Sequence, residues 1–111
     1  MGAKVKTKVI WAAKAQRNLN ANFLYKANDI SPTYATRLIQ DLVAATNKQL
    51  QTFPNGGRKV PEFETSALSF LKEFIYKGYR FIYNPTNAPV SITILTVIHS
   101  RQNLTEEMVK L

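Results

Sequence analysis

Three β-prone runs crowded into the last third of the chain limit the folds open to it. Phe70 to Tyr76 places Phe70, Lys72, Phe74 and Tyr76 on one side and Leu71, Glu73 and Ile75 on the other. Lys77-Gly78 then turns the chain, and Tyr79 to Tyr83 runs back. Asn84 to Pro89 forms a second turn, and Val90 to Ile98 is the most apolar stretch, with β-branched residues on both faces, as a strand covered on both sides requires. Strands at hairpin distance predict a three-stranded antiparallel meander. The same layout brings a tyrosine-flanked arginine, Tyr79-Arg80, and a His-x-Arg pair, His99-Ser100-Arg101, toward one small sheet.

The preceding residues read as one strand and two helices. Lys4, Lys6 and Lys8 alternate with Val5, Thr7 and Val9 and lead into Ile10-Trp11, which predicts a first strand over about 4–11, its lysines guarding a sheet edge. From Ala12 to about Lys26, Ala15, Leu19 and Phe23 recur every four residues, the spacing of neighbours on one helix face. Ser31-Pro32 then supplies an N-cap acceptor and a proline at the first helical position, and Tyr34, Leu38, Leu42 and Ala45 carry a second helix to about Thr52. The two helices are expected to pair antiparallel as a hairpin. Phe53-Pro54-Asn55-Gly56-Gly57-Arg58 breaks the pattern, without the strand-to-helix context or lysine-serine ending of a nucleotide-binding loop. A short helix is expected near 62–67, and one or two helical turns between Leu104 and Leu111, with Thr105 as cap and Glu106-Glu107 in the first turn. Strand, helix, helix, strand, strand, strand is the order of an α+β fold, a single domain over residues 1–111 with the helical pair packed on a twisted sheet.

Composition narrows function without naming it. Fifteen Lys and Arg against seven Asp and Glu give +8, which attracts polyanions or an acidic protein partner by long-range steering. The absence of cysteine excludes a disulfide framework and any thiolate zinc site, and a single histidine excludes a His-rich metal site. The acidic residues do not cluster at a ligand spacing, so neither metal nor cofactor is expected. No apolar run of about 18 residues could span a bilayer, and Met1 to Lys6 lacks the apolar stretch of a signal peptide, so the chain is expected to be cytoplasmic with no membrane partner.

From about Lys8 to Leu104 the element order and several local signatures resemble the RelE/ParE superfamily of bacterial toxins. The stretch Ala12-Ala13-Lys14-Ala15-Gln16-Arg17-Asn18-Leu19 resembles the family's Ala-x-x-Asp-Leu beginning, with Asn18 where an acidic residue is usual. Phe53 to Arg58 is similar to its Pro-x-x-Gly-Arg turn. Gly78-Tyr79-Arg80-Phe81-Ile82-Tyr83 is similar to its Tyr-Arg-x-x-Tyr strand, and Val97-Ile98-His99-Ser100-Arg101 to its Val-x-His-x-Arg ending. The resemblance implies a RelE/ParE-like fold and the toxin of a type II, plasmid-stabilisation toxin–antitoxin module, with an acidic or amphipathic antitoxin as partner. It carries two activities: RelE-like toxins cleave messenger RNA on the ribosome, whereas ParE-like toxins inhibit DNA gyrase.

Metal-free RNA cleavage needs a base for the 2′-hydroxyl proton, an acid for the leaving oxygen, and cations around the phosphorane. Arg80 and Arg101 could supply the cations, and His99 or Glu73 the acid or base. Leu71 and Glu73, however, stand where the nuclease branch usually has lysines, and no aromatic residue follows Arg101. The expectation is therefore a ParE-like toxin that inhibits gyrase by binding, through Lys72, Tyr79, Arg80, Tyr83, His99 and Arg101. A RelE-like endoribonuclease and an inactive basic interaction module are the alternatives. Each residue also has a structural reading: Arg80 as an exposed cross-hairpin partner of Glu73, His99 as a strand-end group bonded to backbone, and Tyr79 and Tyr83 as walls of the sheet.

Overall fold

Ser31 starts the longer helix as its sequence requires. Its Oγ accepts from the Tyr34 N–H at 3.0 Å, and Pro32 occupies the first turn, where no donor is missed. The computed structural model describes residues 6–110, in the order β1 (Lys8–Trp11), α1 (Ala13–Asp29), α2 (Pro32–Thr52), β2 (Arg58–Lys59), a 3-10 turn at Pro61–Phe63, β3 (Lys72–Tyr76), β4 (Tyr79–Asn84), β5 (Ser91–His99) and α3 (Glu106–Val109). The expected strand 4–11 shortens to its second half; Lys4 and Val5 lie outside the described residues. No described helix is long and apolar enough to cross a membrane.

The five strands lie in the order β1-β5-β4-β3-β2, with β1 parallel to β5 and the other pairs antiparallel. The meander is therefore as expected, and β2 adds a two-residue edge. The expected helix at 62–67 is replaced by the 3-10 turn, because the Ser66 hydroxyl accepts from the Leu68 N–H and donates to the Phe63 carbonyl, local bonds that compete with a helix. Thr105 takes the N-cap position of α3 but makes no side-chain capping bond.

The sheet is covered on both faces. On one side, Ala15 and Leu19 of α1 and Leu42 and Leu50 of α2 pack on Tyr79, Phe81, Tyr83, Ile92, Ile94 and Val97. On the other, Val60, Phe63, Leu71, Leu104 and Val109, mostly from irregular backbone, cover Ile82, Leu95 and Ile98. Tyr34, read in the sequence as part of the helical core stripe, is instead exposed, and Ala35 and Thr46 are buried.

A bulge lets β5 serve both cores. Ile82 pairs with Thr96 but Tyr83 pairs with Ile94, so Leu95 is the extra residue and the inward positions shift from Ile92 and Ile94 to Val97. Asn18 of α1 closes this irregularity: its Oδ1 accepts from the Thr96 hydroxyl at 2.8 Å and the Val97 N–H at 3.0 Å. The amide oxygen does here what a carboxylate could also do. Asn18→Ala is expected to lower stability by about 1–3 kcal/mol, the cost of a buried donor left unpaired. Asn18→Asp, which keeps the acceptor, is expected to lose less in urea unfolding. An alanine variant with the parental midpoint is incompatible with this role.

Candidate functional site

Strand alternation divides the Tyr79-Arg80-x-x-Tyr83 segment between the two faces of the sheet. Arg80 faces away from the helices and is only 6% exposed. Its Nη1 and Nη2 donate to the two carboxylate oxygens of Glu62, each at 2.7 Å. Its Nε donates to Glu73 Oε2 at 2.8 Å and Nη2 to Glu73 Oε1 at 3.3 Å. Arg58 Nε donates to Glu73 Oε1 at 3.0 Å, and Glu62 Oε2 also accepts from the Leu104 N–H at 3.1 Å. Two arginines and two glutamates thus form a balanced cluster. Arg80 is thus enclosed by carboxylates while Arg101 is exposed, and the Arg80–Glu73 pair is buried and multiply bonded where an exposed bridge was the structural expectation.

Tyr83 is a core residue, fully buried, and its hydroxyl accepts from the Gly57 N–H at 2.9 Å. A Cβ at Gly57 would lie 2.3 Å from that hydroxyl and 2.8 Å from the Glu73 carbonyl, so the approach needs glycine. Lys72 donates to the carbonyls of Asn55 at 3.1 Å and Gly57 at 3.4 Å. The glycine turn and the Tyr-Arg-x-x-Tyr strand, two separate motifs in the sequence, are therefore halves of one structural joint.

The other expected site residues gather at the opposite end of the sheet. Tyr79 pairs with His99 across β4 and β5, their rings edge-on with centroids 5.7 Å apart. His99 Nδ1 accepts from the Arg101 N–H at 3.3 Å, and Arg101 is exposed in the turn that follows. Tyr79 and His99 line a cavity of about 480 Å³ between the helical hairpin and the β3–β4 turn. Lys26, Tyr34, Arg37, Leu38, Asp41 and Lys77 complete it, none of them a candidate site residue in the sequence. Asp41 pairs with Lys77 and accepts from the Tyr76 hydroxyl at 3.2 Å. The Lys77 ammonium holds the Asp41 carboxyl below its ordinary range. Among the described residues no three His, Asp or Glu side chains gather as metal ligands.

The sequence pattern of the ParE toxin of type II toxin–antitoxin system, parDE, matches residues 9–104. The chain belongs to this family. Among solved structures, the chromosomal ParDE toxin–antitoxin system from P. aeruginosa is similar with a TM-score of 0.67 and 22% identity, covering 85% of this chain and 96% of that one. The toxin–antitoxin complex RelBE2 from Mycobacterium tuberculosis is similar with a TM-score of 0.60 and 20% identity, covering 86% and 99%. At these identities the likeness is one of fold. No curated protein matches the chain.

Within this ParE-family fold, the Arg80 cluster accounts for an acid-sensitive share of stability. Arg80 above all, helped by the Leu104 N–H and opposed by burial, lowers the Glu62 carboxyl from 4.5 to about 2. Glu62 and Glu73 in turn hold the Arg80 guanidinium above its ordinary value, against the effect of burial. A depressed carboxyl stabilises the fold fully above its unfolded value of 4.5, and that contribution is lost as pH falls through the folded value of about 2. Denaturant unfolding between pH 6 and pH 2 is expected to reveal roughly 2–3 kcal/mol from this source. Glu62→Gln should be less stable at pH 7 and decline less below pH 4.5. A variant that declines in parallel with the parent removes Glu62 from the account.

Proposed function

We propose that this type II toxin acts by binding DNA gyrase, and that it catalyses no reaction of its own. The observation that supports this reading is the state of Arg80 and Glu73. A nuclease reading needs the first as a cation and offers the second as acid or base, yet they are bonded to each other and buried, Glu73 to 1% exposure. Only His99 and Arg101 of that set stay accessible, and His99 already accepts from the Arg101 backbone through one ring nitrogen. Two groups, one at the end of β5 and one in the exposed turn after it, fall short of the acid, base and cation set that metal-free phosphodiester cleavage requires.

The partner implied by this reading is an acidic or amphipathic antitoxin in the cytoplasm, whose flexible segment orders over the basic surface. The similar solved structures are themselves toxin–antitoxin assemblies, which favours such a partner. His99 beside Arg101 is the one feature that favours the ribosome-dependent endoribonuclease as a second reading.

Induced expression with parallel readouts of DNA supercoiling and protein synthesis separates the two. Loss of supercoiling ahead of translational arrest is expected, and purified toxin should inhibit gyrase without cutting messenger RNA. Arg101→Ala is expected to weaken gyrase inhibition by roughly tenfold while leaving the fold intact, as for truncation of one interface arginine. Messages cut on translating ribosomes before supercoiling changes overturn the proposal, and normal growth without antitoxin points to the inactive module.

A further inference from the structure

The cavity at the closed end of the helical hairpin has a charge pattern that neither the fold nor the gyrase reading uses. It lies on the helix-facing side of the sheet, whereas Arg80 and Glu73 face the other way. Its volume, about 480 Å³, falls within the roughly 300–1,000 Å³ of small-ligand sites. Three cations reach it from three elements: Lys26 from the last turn of α1, Arg37 from α2, and Lys77 from the β3–β4 turn. Lys77 is held by Asp41, the only carboxylate in the lining. Lys26 and Arg37 have no carboxylate within salt-bridge distance among the described residues.

The walls supply a second recognition element. Tyr34 is 43% exposed and lines the cavity together with the Tyr79–His99 pair. Cations without a carboxylate partner suit a phosphate, the guanidinium through paired N–H donors and the ammonium as a point charge. A partly exposed aromatic ring suits a planar base. An acidic peptide satisfies the charges but offers nothing to the tyrosine. We infer that this cavity binds a phosphorylated nucleoside unit, its phosphate against Lys26 and Arg37 and its base against Tyr34, supplied either as a free nucleotide or as part of a single strand.

The test is fluorescence-polarisation binding of a short labelled single-stranded oligonucleotide to the purified full chain, with adenosine monophosphate, unlabelled oligonucleotide and an acidic peptide as competitors. Replacing Lys26 and Arg37 together by Ala is expected to weaken binding at least tenfold and to flatten the logarithmic salt dependence by about 0.7 per cation removed. Tyr34→Ala is expected to weaken it by roughly tenfold, and Asp41→Asn, which releases Lys77, to tighten it. Lys8→Ala with Lys59→Ala, exposed cations on strands that do not line the cavity, is the control and should change little. Displacement by adenosine monophosphate supports the proposal with a free nucleotide as ligand; displacement by oligonucleotide alone supports it with a strand. Equal losses from the control and cavity variants, no oligonucleotide binding, or displacement by the acidic peptide alone overturns it. Binding is read without gyrase, so a negative result leaves the proposed target untouched.

Discussion

A guanidinium taken out of water must have its donors filled, and the way Arg80 fills them organises half of this molecule. Desolvating such an ion costs several kcal/mol, which is offset only when geometry is good and hydrogen bonds satisfy the remaining protons. Glu62 meets the fork of Arg80 in two parallel bonds, and Glu73 takes Nε, the paired geometry in which arginine is strongest. These partners come from separate pieces of chain. Glu62 sits in the 3-10 turn, Glu73 on β3, Arg58 on β2, and the Leu104 N–H in the C-terminal segment. The irregular backbone that covers the second face of the sheet has few ladder bonds of its own, so this cluster sets where it lies.

That placement has a consequence for motif reading. Arg80, Tyr83, Gly57 and Arg58 carry the resemblance to the toxin superfamily, yet in this chain they are bonded to one another or to Glu73. Geometry accounts for their presence in this chain: Gly57 because Tyr83 leaves no room for a Cβ, and Arg58 because the buried Glu73 carboxylate has an oxygen to share. Residues that define a family by sequence can be those that hold its frame.

Periodic segments were legible in the sequence. The second helix begins at Ser31-Pro32 and ends at Thr52 as its cap and apolar spacing predict, and the meander turns at Lys77-Gly78, where both residues take positive φ. Segments without a period were not. The cover of the second face runs through 60–71, whose turns and side-chain bonds leave no repeating pattern, so the partner of Arg80 eighteen residues earlier could not be inferred. Strand alternation does place Tyr79 and Arg80 on opposite faces, but it does not tell which face is sealed. The cavity at the closed end of the hairpin was less legible still, since its lining comes from α1, α2, the β3–β4 turn and the ends of two strands. Tyr34 fits the helical core period and yet is exposed in the first turn of α2.

The buried cluster also shapes how the molecule meets charged partners. Two of the seven acidic side chains, Glu62 and Glu73, are matched by buried Arg80 and exposed Arg58, and this set sums to zero. The whole excess of +8 therefore belongs to the rest of the chain, where among the described residues Asp41 is the only carboxylate lining the cavity with Lys26, Arg37 and Lys77. A surface so biased accelerates encounter with acidic proteins and polyanions alike, and its reach shortens as salt shrinks the Debye length. Selection between them then depends on short-range fit. At the cavity, that fit is decided by whether a partner can fill the space beside Tyr34 as well as neutralise Lys26 and Arg37, a demand that charge alone does not meet.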